Sequence, residues 1–102
     1  MILPMDEALI LSAVDLSGRS HLAYDLSIRA KKIGAFDTEL LEEFWISFVR
    51  NCPMALHIRM LAGKNSHHIA EGAFKSVARA LRQAVSIDAA FSDEIPSTKG
   101  VL

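Results

Sequence analysis

Between Asp37 and Val85 the spacing of apolar residues changes period twice, and that change limits the fold more than any other feature of the chain. Leu40, Leu41, Phe44, Trp45, Phe48 and Val49 recur at three- and four-residue steps, the mark of a helix with one core-facing stripe. The spacing predicts a helix over residues 38–50, with Asp37 as N-cap, Glu39 in the first turn and Pro53 past its end. Residues 54–62 then alternate as a strand does, Leu56, Ile58 and Met60 on one face, His57, Arg59 and Leu61 on the other. After a turn at 63–66 the helical period returns in Ile69, Ala70, Ala73, Phe74, Val77, Ala78, Leu81 and Val85. This second helix covers residues 67–85, with Asn65 or Ser66 as its cap and Arg79 and Arg82 pointing away from the stripe.

Upstream, residues 6–16 and 20–28 read as two strands of a hairpin turning at Leu16-Ser17-Gly18-Arg19. Leu22, Tyr24, Leu26 and Ile28 take one face of the second strand, Ala23, Asp25 and Ser27 the other. Ala8-Leu9-Ile10-Leu11 is continuously apolar, as in a strand covered on both faces. Lys31 to Gly34 is a connection, and residues 94–100 carry no apolar period and read as a loop. The order is β-β-α-β-α, an α+β fold over a single domain of residues 1–102 with both helices on one face of the sheet. Three strands covered on one side leave a bare face and two open edges. A chain that is 51% hydrophobic, with mean hydropathy +0.26, is expected to cover them with a second copy or a second half.

A net charge of −1 and an isoelectric point near 6.4 give no general attraction to nucleic acid or anionic membrane. No window approaches the ~18 apolar residues of a membrane span. The opening Met-Ile-Leu-Pro-Met-Asp-Glu lacks the basic start of a signal peptide. Cys52 is the one cysteine, so no internal disulfide forms and a reducing compartment is expected: the cytoplasm, or the plastid in a plant.

The chemistry is concentrated in Gly63-Lys64-Asn65-Ser66-His67-His68-Ile69-Ala70-Glu71-Gly72-Ala73-Phe74-Lys75. On a helix, Glu71 lies three and four residues from His68 and His67, and Lys75 four beyond Glu71, so these side chains share one side. Three of the four histidines, His57, His67 and His68, fall within twelve residues. Imidazoles with a carboxylate and no thiolate suit Mn, Fe, Zn, Co or Ni. Adjacent helical positions diverge by about 100°. His67 and His68 therefore each serve a different ion, with His57 and Glu71 assigned among the two and partner residues completing the shells. Arg19, Lys75, Ser97 and Lys99 are cationic and hydroxylic groups of the kind that bind phosphate. Asp6-Glu7 reads either as a strand-edge acidic pair or as the source of a base, and His21 as a surface or strand histidine.

The segment from Gly63 to Lys75 resembles the second signature of the imidazoleglycerol-phosphate dehydratase family, G-x-N-x-H-H-x-x-E-x-x-F-K. M-D-E-A-L (Met5–Leu9), D-L-S-G-R (Asp15–Arg19), F-D-T-E-L (Phe36–Leu40), L-H-I-R (Leu56–Arg59), A-R-A-L-R-Q-A (Ala78–Ala84) and I-P-S-T-K-G-V-L (Ile95–Leu102) also match it, in family order. The resemblance implies two similar β-β-α-β-α halves of the fold type named for the second domain of a small-subunit ribosomal protein. It further implies a homo-oligomeric 24-subunit shell with Mn(2+) ions at its interfaces. The metal ligands implied are His57, His67, His68 and Glu71, the phosphate ligands Arg19, Lys75, Ser97 and Lys99. The catalytic residues implied are Glu71, His68 and Glu7, the last standing where the other half carries a base-like glutamate.

The implied reaction is the dehydration of D-erythro-imidazole-glycerol phosphate to imidazole-acetol phosphate in histidine biosynthesis. The match covers the C-terminal half of the family pattern. The first H-H-x-x-E, its proton-moving glutamate and an arginine before D-E-A-L have no counterpart here. A fragment, or half-chains that pair with one another, is expected, and the alternative function is a metal-binding half-domain that oligomerises without turnover.

Overall fold

The computed structural model describes residues 1–86. Its elements are β1 (Ile2–Met5), β2 (Ala8–Asp15), β3 (His21–Asp25), β4 (Lys32–Ile33), β5 (Phe36–Asp37), α1 (Glu39–Asn51), β6 (Ala55–Ala62) and α2 (Ser66–Val85). Four strands form one mixed sheet in the order β1-β2-β6-β3, and β4 and β5 form a separate two-stranded ladder. The α+β half-domain expected from the period changes is present, with one difference in the order of its strands.

The two strands flanking Ser17-Gly18 do not form a hairpin. β2 pairs antiparallel with β6, β6 pairs parallel with β3, and β6 therefore lies between β2 and β3. A parallel pair needs a long crossover connection, and α1 supplies it between β3 and β6. The true hairpin comes earlier, where β1 and β2 pair with Met5 opposite Ala8 and turn through Asp6-Glu7. Asp6 takes a left-handed φ of 51°, a conformation that aspartate tolerates better than most residues. Gly34 at φ 61° turns the small β4–β5 ladder, which replaces the plain connection expected there.

One face of the sheet is buried under both helices. Ala8, Ile10 and Ser12 of β2 alternate inward with Leu56 and Ile58 of β6. They meet Trp45 and Val49 of α1 and Ile69, Ala73 and Val77 of α2. Leu22, Tyr24, Leu26 and Ile28 pack against this cluster as their alternation requires, although the strand itself ends at Asp25. Ser12 and Ser76, both fully buried, join β2 to α2 through a 2.6 Å bond between their hydroxyls. Gly72 lets the same pair of elements approach, since a Cβ there would stand 2.8 Å from Ile10 Cγ1.

The apolar stripes are narrower than their sequence period. Leu41, Trp45 and Val49 are buried, but Leu40, Phe44 and Phe74 remain 40–46% exposed, with the Phe44 and Phe74 rings 5.2 Å apart. Each helix touches the sheet along one line, so residues on the flank of a stripe wide enough for two contacts stay outside. The opposite sheet face, with His57, Arg59 and Leu61, carries no helix among the described residues. Leu9 and Leu11 on that face are partly exposed, so β2 is covered on one side only. No helix among the described residues is long and apolar enough to cross a membrane.

Candidate active site

The sheet and α2 bring together two residues 61 positions apart. Glu7 lies in the β1–β2 turn, and His68 lies in the first turn of α2. Glu7 Oε1 accepts from His68 Nδ1 at 2.5 Å. Its other oxygen, Oε2, accepts from the backbone N–H groups of Lys64 at 3.1 Å and Asn65 at 3.3 Å. Asn65 is the N-cap of α2, and its Oδ1 accepts from the His68 backbone N–H at 3.0 Å. The expected cap at residue 65 is thus in place, whereas α1 starts differently. Thr38, not Asp37, occupies the cap position, and its hydroxyl donates to Ala30 O instead of capping.

Electrostatics follow from this geometry. The His68 hydrogen bond, helped by the Lys64 amide, holds the Glu7 carboxyl down at about 2. His68 moves the opposite way, its imidazolium stabilised first by the Glu7 hydrogen bond and then by the charges of Glu7, Asp6 and Glu71. An ionised carboxylate only accepts, so the imidazole proton sits on Nδ1. Nε2 lies 3.4 Å from Asp6 Oδ2. A carboxylate on the other ring nitrogen is the arrangement that fixes a histidine in one tautomer and one orientation.

Glu71 lies one turn further along the same side of α2 and pairs with Lys75 at 3.6 Å. Lys75 Nζ also reaches Met5 Sδ at 4.0 Å, so the lysine lies over the β1–β2 hairpin. His67 is exposed and diverges from His68, their ring centres 6.4 Å apart. His57 does not join this group. Its position in β6 turns it to the uncovered sheet face, beside His21 at 5.6 Å between ring centres. Five residues of strand, about 17 Å at 3.3 Å each, separate it from the end of β6. Among the described residues no three His, Cys, Asp or Glu side chains gather closely enough to enclose an ion.

The expected phosphate group divides as well. Arg19 lies in the connection after β2, and that eight-residue strand carries it about 25 Å away from the Glu7 turn. It is exposed there, in a local turn where Ser17 Oγ accepts from the Arg19 N–H. Ser97 and Lys99 lie outside the described residues. Of the two described members of the set, Lys75 lies beside Glu71 and Arg19 does not. The donors around His68 nonetheless suit a divalent cation, being one imidazole nitrogen with carboxylate oxygens and no sulfur.

Sequence reasoning singled out Asp6-Glu7 without finding its partner. The signal was absent, since no spacing rule connects a two-residue hairpin turn to a helix start 61 residues later.

These features define the class: a two-layer α+β half-domain whose helix terminus presents a carboxylate-oriented histidine. The family model for imidazoleglycerol-phosphate dehydratase matches residues 1–81. An imidazoleglycerol-phosphate dehydratase of Desulforamulus reducens is 61% identical over 99% of the chain and 51% of its own length. A Synechococcus relative of the same name is 58% identical over 97% of the chain and 49% of its length. The crystal structure of the Staphylococcus aureus dehydratase superimposes with a TM-score of 0.82 at 44% identity, over 84% of this chain and 51% of that one. That of Pyrococcus furiosus gives 0.85 at 41% identity, over 100% and 55%. The chain belongs to the imidazoleglycerol-phosphate dehydratase family. It spans about half the length of the curated relatives it matches.

Proposed function

We infer that this chain is the C-terminal half of a metal-dependent carbon–oxygen hydro-lyase of histidine biosynthesis, one that dehydrates D-erythro-imidazole-glycerol phosphate to imidazole-acetol phosphate. The observation that carries the reading is the Glu7–His68 pair, with Glu71 one turn away. The donor set supports Mn(2+), held by His68 Nε2 and Glu71, with His67 turned toward a second ion and partner residues completing both shells. His57 is not included, because it stands on the other face of the sheet. A bound divalent ion would supply Lewis-acid stabilisation of charge on the substrate's imidazole ring.

The chain's own groups then divide the work. Glu7 orients His68 and is a poor base, since a carboxyl held at about 2 binds protons weakly at neutral pH. Glu71, half-buried and paired with Lys75 at 3.6 Å, is the other carboxylate at the site. Lys75 fixes the substrate phosphate, and Arg19 serves the site of a neighbouring chain. Exposed Leu40, Phe44 and Phe74 on the helix layer are where a second half or copy packs, in a homo-oligomer. Exposed, unpaired Cys52 is in keeping with the cytoplasm, or the plastid of a plant.

The separation of Arg19 from Lys75 favours a second reading as well, a half-domain that binds metal and oligomerises without turnover. Dehydration assays of this chain with Mn(2+), alongside its mass in solution, decide between them. Turnover abolished by His68→Ala supports the enzyme. Mn(2+) binding and oligomer formation without turnover support the half-domain, and a monomer that binds no metal refutes both.

A further inference from the structure

β3 and β6 are parallel neighbours at the edge of the sheet, with His21 opposite Ala55 and Ala23 opposite His57. Register partners share a face, and so do residues two apart in one strand, so His21 and His57 stand on the same side. Among the described residues no helix lies on that side, and both histidines are exposed. Their rings lie on a diagonal whose other corners are the small residues Ala23 and Ala55, so no bulky side chain separates them. The ring centres are 5.6 Å apart and the planes are inclined by 51°.

This spacing is close to that of two imidazoles on one ion. A ring nitrogen binds zinc at about 2.1 Å, placing the ring centre about 3.2 Å from the metal, so two rings at a tetrahedral angle have centres about 5.2 Å apart. A small χ2 rotation covers the difference. Both rings are also uncommitted: among the described residues the only imidazole–carboxylate contacts are those of His68. Asp25, the nearest acid along β3, is already engaged with Arg59 at 3.9 Å. Beside His57 a cleft of about 370 Å³ opens between Leu11, Ala23 and Leu61, with room for waters to finish a shell.

We propose that His21 and His57 form a two-imidazole chelate for a late first-row divalent metal, Zn(2+), Ni(2+) or Cu(2+), distinct from the site around His68. An all-nitrogen protein donor pair binds these ions more tightly than Mn(2+). The proposal does not depend on the dehydratase reading, because it uses none of the residues at the α2 terminus.

The test is zinc calorimetry on the full chain carrying His67→Gln and His68→Gln, which removes the other imidazoles. One Zn(2+) per chain is expected to bind in that background. Adding either His21→Gln or His57→Gln is expected to weaken it by at least about tenfold, and equally, because either change destroys the chelate. No zinc binding in the background, or an added substitution that leaves affinity unchanged, overturns the proposal. A second measurement avoids substitutions altogether. Substoichiometric Ni(2+) should broaden the Hε1 resonances of His21 and His57 together in the unaltered protein, and broadening of one without the other is refuting.

Discussion

Replacing Ser76 with alanine tests how α2 is held at the register that brings His68 to Glu7. Ser12 and Ser76 are both 0% exposed, and their hydroxyls lie 2.6 Å apart. They are not equivalent. Ser76 Oγ also donates to Ala73 O at 3.1 Å, whereas among the described residues Ser12 Oγ bonds only Ser76. Ser76→Ala therefore strands a buried hydroxyl, which costs about 1–3 kcal/mol. Ser12→Ala leaves Ser76 its carbonyl and removes one bond, about 0.5–1.5 kcal/mol. In the double variant no buried polar group is left unpaired, so its loss falls below the sum of the singles by about 1–3 kcal/mol. Urea unfolding of the four proteins measures this, with equal m-values required before midpoints are compared. Each kcal/mol should also move the melting temperature by about 4–8 °C in a domain of this size. If the two single losses add within about 0.5 kcal/mol, the hydroxyls are not coupled and the register argument fails.

Gly72→Ala should lower stability although it raises helix propensity. The new Cβ meets Ile10 Cγ1 at 2.8 Å, an overpacking worth about 1–3 kcal/mol against a propensity gain of about 1; a higher melting point for the variant would contradict the close approach of α2 to β2. The Glu7–His68 pair predicts a pH window, measured in chelator as the difference in urea midpoint between the native chain and Glu7→Gln. Glu7 is depressed from 4.5 to about 2, so its contribution is whole above 4.5 and disappears as pH falls through 2. His68 is raised above 6.5, so its contribution is whole below 6.5 and disappears as pH rises through its folded value. The difference should peak between pH 4.5 and 6.5, and a difference flat from 3 to 9 would rule the pair out.

What was legible in the chain followed from periodicity. The helix read as 67–85, observed as Ser66–Val85, and a cap at Asn65 or Ser66, observed at Asn65, were readable because a long amphipathic stripe and a side chain that bonds its own helix are local facts. Strand adjacency is not local. The stretch from 16 to 20 looks like a hairpin turn, yet it spans two strand spacings, about 9.6 Å, across an inserted β6. Because β2 and β3 still run antiparallel, nothing in the turn residues distinguishes the two cases. β1 escaped notice because it is four residues long and contains Pro4, which only an edge strand tolerates, and β1 is an edge. His57 was grouped with His67 and His68 by closeness in sequence, whereas the two-residue period of β6 sends it to the far face.

The placement of Glu7 explains why a histidine can occupy the first turn of α2 at all. That end of a helix carries partial positive charge and exposed N–H groups, which disfavour a cation. α2 has no acidic residue in its own first turn to offset this. The β1–β2 hairpin supplies the missing charge from outside, and a single carboxylate satisfies the Lys64 and Asn65 amides while binding the His68 ring. Closing the helix terminus and orienting the imidazole are therefore one event. A residue that only neutralised the terminus would not need an acceptor aimed at Nδ1, and one that only held the ring would not need the two amides. Glu7 makes all three bonds from the position that follows Asp6, whose φ is left-handed at 51°. Rigid support of this kind holds the His68 ring in one orientation at the start of α2.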